Sequence, residues 1–432
     1  MNRNMCRVIL YKMDYDYLCW GWTYCPSICI GRLFLIMVAD KLIYSVYFIL
    51  PVVLLWGAKL AGKKEWHDSL SLEQSKAFLG FLTICIMLHH VGQKTCASWL
   101  QPKTRIQQGL GFFVPIGFLC VSMFLFFNGY GLYKSFHSKD NYLKGFVKKR
   151  ILPIVFMLYA TTVIFYIVRL IVGEKMDVQQ TLLYLTSIKL CNPYTWYAIV
   201  LPFFYLAFYL AFKFIKNDGI AVLVTTAFVV AYMLFGTTID HNDYWFRGEW
   251  WYNCVFLFAV GIIFAKFEDK IISFFKRTYV VLMPLSVALI YPLYLFSRFV
   301  CDTFSYYGEN WGAPDTVFRR RVCVGAETLV CIDFVLMFLL LGMKIKVGNK
   351  FLKFMGKITL EFYLIHGLFV DLFAFNFDGG VVNKIRIHNL LLYVVVVFVL
   401  GLISALILKK ISPDFAGKKK ANSEGCKLSK AS

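Results

Sequence analysis

A chain of 432 residues that is 59% hydrophobic and 18% aromatic, with a mean hydropathy of +0.64, is too apolar for a soluble domain of that length. Its formal net charge of +21 would suggest nucleic acid in a soluble protein. Here Lys and Arg cluster in short segments between apolar runs, where they orient helices in a bilayer. The 13 cysteines show no CxxC pairing, and Cys85, Cys120, Cys254, Cys323 and Cys331 fall inside apolar runs, so they read as small hydrophobes rather than as a disulfide framework or a metal site.

Residues 1–40 carry Arg3, Arg7, Lys12 and four cysteines, with no clean apolar run and no small-residue cleavage site, so they do not read as a signal peptide. Met37, just ahead of the first apolar stretch, reads as an alternative start. Stretches near the roughly 20 residues that cross a bilayer then follow at 41–60, 77–95, 111–133, 151–172, 196–215, 219–236, 250–266, 279–297, 322–343, 357–375 and 390–409. The expected fold is all-α: a polytopic integral membrane bundle of about ten core transmembrane helices plus one extra N-terminal helix. Its expected parts are an extension (1–40), an extra helix with a linker (41–70), a membrane domain (71–410) and a basic tail (411–432). The longest connections, 173–194 and 298–321, are too short for a folded unit. Any site must therefore be built by the helices.

The basic segments 134–150, 344–357 and the tail after Lys409 should face the cytoplasm, which also places the C-terminus there. Alternation puts 173–194, 237–249, 298–321 and 376–389 outside, and the helix at 77–95 runs outward from Lys76. The triplet Arg319, Arg320 and Arg321 then falls on the outer side, so either it binds something anionic there or one span is miscounted.

Within 77–95 lie adjacent histidines, His89 and His90, where a spanning helix should carry no titratable group. An imidazole can take and return a proton near neutral pH, so a pair buried in hydrocarbon is a functional candidate. The bland alternative is that one ring bonds a neighbouring helix and the other faces an aqueous vestibule. Lys76 lies fourteen positions before His90, within about 40° of its helix face, and is opposite His89. Further along, Arg169, Glu327, Asp333, Glu361 and Asp371 also fall in apolar runs. Glu327 is the best candidate for a carboxylate that orients a histidine, or else pairs with Arg169 or Arg321 as structural glue. Arg169 and Asp371 read as interface residues near outer helix ends. Trp250, Trp251 and Tyr252 read as an interfacial aromatic belt.

Several segments after residue 70 form an ordered set. They are Leu88-His89-His90; the aromatic run Val121–Gly131 with Asn128-Gly129-Tyr130; the basic cluster Lys148-Lys149-Arg150 before Pro153; Trp196-Tyr197 after Asn192-Pro193; and Lys357–Gly367, with Thr359, Tyr363 and His366. This set resembles acyltransferase family 3, multi-pass membrane enzymes that O-acylate surface polysaccharides, lipids and related acceptors. The chain departs from the pattern at Leu79, where the family has a basic residue, and at Asn128 and Thr359, where it has serine. The resemblance implies acyl transfer, with acetyl-CoA or another acyl-CoA as co-substrate and no metal.

On that reading His90, or His89 if the register slips by one, is the general base, and a covalent acyl-histidine is the variant mechanism. Glu327 would be its partner. Lys148, Lys149, Arg150 and Lys76 would hold the acyl-CoA phosphates. Asn128, Trp196, Tyr363, His366 and Arg321 would position substrate, with a structural hydrogen bond as the alternative for His366. The implied setting is the cell (inner) membrane. Implied partners are the bilayer, a glycan or lipid-linked acceptor, polysaccharide-pathway proteins or further copies of the chain, and no nucleic acid. A proton-coupled glycan or lipid transporter or flippase is the reading from another class. No internal repeat supports it.

Overall fold

Five helices start where a side chain caps the first free backbone amides, as Ser, Asp and Asn do at this position. Ser71 accepts from Gln74, Asp177 from Gln180, Asn217 from Ile220, Asn349 from Leu352 and Asn389 from Leu392. The computed structural model describes residues 41–415, apart from 102–108, 242–243, 305–314, 378–382 and 384. The expectations for 1–40 and for most of the tail lie outside the described residues.

The helices in chain order are α1 (Val46–Leu55), α2 (Leu72–Thr95), α3 (Gly117–Ser138), α4 (Leu152–Ile171), α5 (Val178–Leu185), α6 (Trp196–Phe214), α7 (Asp218–Gly236), α8 (Phe256–Lys266), α9 (Glu268–Thr303), α10 (Thr316–Lys344), α11 (Lys350–Met355), α12 (Thr359–Phe373) and α13 (Leu390–Ile411). Among the described residues a single short ladder pairs β1 (Lys59–Leu60) with β2 (Ile345–Lys346), antiparallel. Among the described residues seven helical segments are long and apolar enough to cross a membrane: α2, α4 with the turn before it, α6, α7, α9, α10 and α13. The fold is the all-α, multi-pass bundle that the apolar runs imply. The connection 173–194, expected as a loop, contains α5.

The connections gather at two ends. At one, Lys344 Nζ donates to the carbonyls of Gly62, Lys63 and Glu65. There, too, Lys134 meets Glu268 at 2.8 Å, Asp218 meets Tyr133, His137 and Lys266, and Lys409 meets Glu361 at 3.1 Å. At the opposite end Arg169 Nε donates to the Cys191 carbonyl at 2.9 Å and Nη1 to Glu174 at 2.7 Å. Arg320 donates to the Ile239 carbonyl at 2.8 Å, and Asn383 to that of Asp371 at 2.7 Å. Successive connections alternate between these ends, which is the arrangement alternating spans require.

The core of the bundle pairs α3 with α8. A Cβ at Gly129 would overlap the Phe258 carbonyl, and one at Gly261 would overlap that of Phe126. Small residues here bring the two backbones into contact, the packing that works where lipid tails are as apolar as leucine. Helix α9 lies at the periphery and carries Pro284 and Pro292.

Two expectations are corrected. Arg169 is 3% exposed and Asp371 0%; both are paired inside the bundle and neither reaches the interface. Trp251 and Tyr252 are fully buried and only Trp250 is exposed, because the turn Glu249–Trp251 folds under the bundle end as the lead into α8. The arginine triplet has protein contacts: Arg319 with Asp315 at 2.6 Å, Arg320 with Ile239, and Arg321 with Thr237 at 3.4 Å. Arg319 holds the exposed Asp315 carboxyl below its usual range.

Candidate active site

Helices α2 and α12 lie side by side and run in the same direction. Thr83 meets Thr359 at 3.4 Å and, seven residues further on each helix, His90 Nδ1 meets His366 Nε2 at 2.8 Å. Seven residues are close to two helical turns, so a contact at one level repeats on the same faces at the next. One turn beyond His90, Lys94 meets Asp371 at 2.7 Å. His90 lies five residues before the end of α2, about 8 Å inside the bundle end opposite the lysine-rich one.

The hydrogen bonds fix the tautomers. His366 Nδ1 lies 2.9 Å from the Phe362 carbonyl, which only accepts, so Nδ1 carries the proton and Nε2 is the bare nitrogen. That Nε2 accepts from His90 Nδ1–H. The proton-free nitrogen of His90 is therefore Nε2, which has no hydrogen-bond partner among the described residues, and the ring keeps partial exposure. His89 is arranged otherwise. Its Nδ1 donates to the Phe113 carbonyl at 3.0 Å, and its Nε2 edge lies on Gly117, where a Cβ would collide with it. His90 is thus the histidine with an available base, and His89 fastens α2 to the segment before α3.

Tyr194 covers the other face of His90, with ring centroids 4.5 Å apart. Asn192 sets that tyrosine: its amide donates to the Leu364 carbonyl at 2.8 Å while its oxygen accepts from the Tyr194 N–H at 3.0 Å. Gly367 makes room, since a Cβ there would strike the Tyr194 ring. The Tyr194 hydroxyl donates to Asp371 at 3.0 Å.

From His366 a line of polar aromatics leads toward the lysine-rich end. Tyr363 lies 6.2 Å from His366 and 5.7 Å from Tyr197, ring to ring. The Asn128 amide donates to the Tyr197 hydroxyl at 2.6 Å, and its oxygen accepts from Tyr205. Tyr205 is in turn an electrostatic neighbour of Arg150. Arg150 also sits over the Tyr142 ring at 5.5 Å. It belongs to a π-helical turn, Val147–Ile151, that contains all three of Lys148, Lys149 and Arg150; such turns recur at functional sites.

The structure thus gathers His90, His366, Tyr363 and, further along, Asn128 into one seam, with Arg150 at its basic mouth. Trp196 flanks it, 6.0 Å from Tyr197 and 6.4 Å from Trp251, ring to ring. Lys148 and Lys149 are exposed at that mouth. Lys76 is exposed at the lysine-rich end, about 21 Å along α2 from His90, so a shared helix face does not bring it into the site. Glu327, 3% exposed, has Asn253 and Cys254 as polar neighbours. It contacts neither histidine, nor Arg169, nor Arg321.

Sequence reasoning missed Tyr194, Lys94 and Tyr205, and named Tyr197 only as part of a motif, without a role. Lys94 was legible, because four residues after His90 is the same helix face. Tyr194 was not, because a loop tyrosine announces no neighbour 104 positions away.

Among known proteins, the model of acyltransferase family 3, described as an acyltransferase domain, matches residues 80–410. The chain belongs to this family. No curated protein and no solved structure matches it. The match covers α2 from Gly80 through most of α13, so His89, His90, His366 and the polar seam lie within the acyltransferase domain, while α1 and the β1 segment precede it. Membership makes the chain a membrane acyltransferase and weighs against the carrier reading.

Proposed function

We propose that this acyltransferase moves an acyl group, acetyl in the simplest case, from cytoplasmic acyl-CoA to a hydroxyl of a surface polysaccharide or lipid-linked glycan, with His90 as general base. The observation that carries the reading is the Nε2 of His90, without a partner among the described residues and left proton-free by the tautomer that His366 and the Phe362 carbonyl favour. In the reaction Nε2 takes the acceptor hydroxyl proton as that oxygen attacks the thioester carbonyl. The tetrahedral intermediate collapses, the C–S bond breaks, and the imidazolium returns the proton to the departing sulfur. His366 stabilises the imidazolium by accepting from its Nδ1–H, a role a carboxylate plays in hydrolytic triads.

The Tyr363 hydroxyl, whose ring lies 6.2 Å from that of His366 and which has no hydrogen-bond partner among the described residues, would donate to the developing oxyanion. The donor's phosphates would lie at Arg150, Lys148 and Lys149, with its thioester arm along the Tyr205–Asn128–Tyr197–Tyr363 seam. The acceptor would arrive from the opposite end, the nearer one to His90. Helix packing excludes the water that would hydrolyse the thioester.

The test is purified protein with labelled acetyl-CoA and a glycan acceptor. Transfer to the glycan, reduced about 10²–10⁴-fold in His90→Ala, is the expected result. Proton-dependent glycan uptake with no acyl transfer would sink the reading.

A further inference from the structure

The pair Lys94–Asp371 sits one turn beyond the two histidines and is bound to them on both sides. Lys94 is on the His90 face of α2. Asp371 is five residues after His366 on α12, is fully buried, and holds both Lys94 Nζ at 2.7 Å and the Tyr194 hydroxyl at 3.0 Å. Tyr194 in turn lies against the His90 ring. The Asp371 backbone is held as well: Asn383 donates to its carbonyl at 2.7 Å and to that of Ala374 at 3.0 Å, and Tyr393 of α13 donates to the carbonyl of Val370. Burying the Asp371 carboxylate completely, with Lys94 only half-buried beside it, costs desolvation that apolar residues would avoid. An ion pair placed against the reacting group calls for a role.

We propose that Asp371 is a positioning residue for His90, acting through Tyr194 and Lys94. Two effects follow from the geometry. Tyr194, fixed at its hydroxyl by Asp371 and at its backbone by Asn192, sets the plane of the His90 ring, and so the direction in which Nε2 points. Asp371 also cancels the ammonium of Lys94, which would otherwise oppose the positive charge that His90 acquires when it takes a proton. Among the described residues, the titratable groups around His90 are His89 and Lys94 on α2, Tyr363, His366 and Asp371 on α12, and Tyr194 ahead of α6. Cys120 on α3 lies by Cys85, about a turn below, and Tyr393 of α13 lies on the Asp371 side. Among the groups facing His90, Lys94 is the fixed cation, and Asp371 is the carboxylate placed against it.

This inference rests on His90 being the base, and its test separates the two ideas. Diethyl pyrocarbonate modifies neutral imidazole, so the pH midpoint for modification of His90, read by mass spectrometry on the purified full-length chain, reports the charge around it without any substrate. In Asp371→Asn, loss of the carboxylate 2.7 Å from Lys94 should move that midpoint down by about one pH unit. In the double variant Asp371→Asn/Lys94→Met, which lacks both charges, the midpoint should return to the wild-type value. A midpoint unmoved in the single variant, or still displaced in the double, overturns the inference.

Should Asp371→Asn alone fail to fold, Tyr194→Phe tests the same linkage. It keeps the ring on His90 and loses the hydroxyl, and should lower kcat for acetyl-CoA thioester cleavage about tenfold with KM unchanged. An unchanged kcat overturns the inference. Wild-type protein that cleaves no thioester would instead remove the acyl-transfer reading, whatever the midpoints show.

Discussion

The Asn128 amide joins two tyrosines that come from one face of α6, eight residues apart. Replacing it with alanine leaves the Tyr197 and Tyr205 hydroxyls without that partner inside the bundle, a loss of about 2–3 kcal/mol. Asn128→Ser, which restores the family's residue, can serve one tyrosine at a time and should cost less. Thermal unfolding in detergent ranks the three proteins, and an alanine variant as stable as wild type would contradict the bridge.

The histidine pair makes a second comparison at this scale. His89→Asn removes a fastening to the Phe113 carbonyl, whereas His90→Asn removes the base. Acyl transfer should fall less than about 10-fold in the first and more than about 100-fold in the second. The helix-face argument that separated the two residues in the sequence chose the same one, but its anchor, Lys76, lies at the other end of α2. What distinguishes the rings is which carbonyl or nitrogen each meets, and those partners come from α12 and from the segment before α3. Asp371 shows the same limit. A carboxylate near a helix end suits an interface position equally well until Lys94 and Tyr194 are seen beside it.

Among the elements, α3 and α8 depend on glycine at both sides of their contact. Gly129→Leu or Gly261→Leu should separate the helices, with a loss of at least about 1–3 kcal/mol and a lower yield of monodisperse protein on size exclusion. Gly131, which has nothing near it, should accept leucine and serves as the control. Eleven apolar stretches in the sequence each coincide with a helix, but helix length was less legible. Helix α8 has only 11 residues, because its run is completed by the buried turn at Trp251, and α9 extends to 36. Apolar composition marks where the chain leaves water. Caps and tertiary contacts decide where each helix stops.

For the whole molecule, the clustering of basic segments at one end is the feature that the order of charges along the chain made plain. It also gives a direct test of orientation. Cysteine placed at Lys350, at the lysine-rich end, should react with a membrane-impermeant maleimide only after permeabilisation of cells. Cysteine at Ile385, exposed at the opposite end, should react in intact cells. The reverse pattern would invert the proposed entry sides of donor and acceptor. The seam between the ends could not be read in advance, since it is assembled from α2, α3, α6, α12 and the turn before α4, whose residues share no local spacing.

The seven-residue repeat that ties α2 to α12 has a consequence for how the site can fail. Thr83 with Thr359, His90 with His366 and Lys94 with Asp371 share almost one offset, 276 positions for the first two pairs and 277 for the third. Sliding one helix past the other by a single residue would break all three at once, and no neighbouring offset restores any of them. The two helices therefore behave as a keyed pair, engaged along its whole length or not at all. Register between these two helices is set at three levels at once, and the position of the base is set with it.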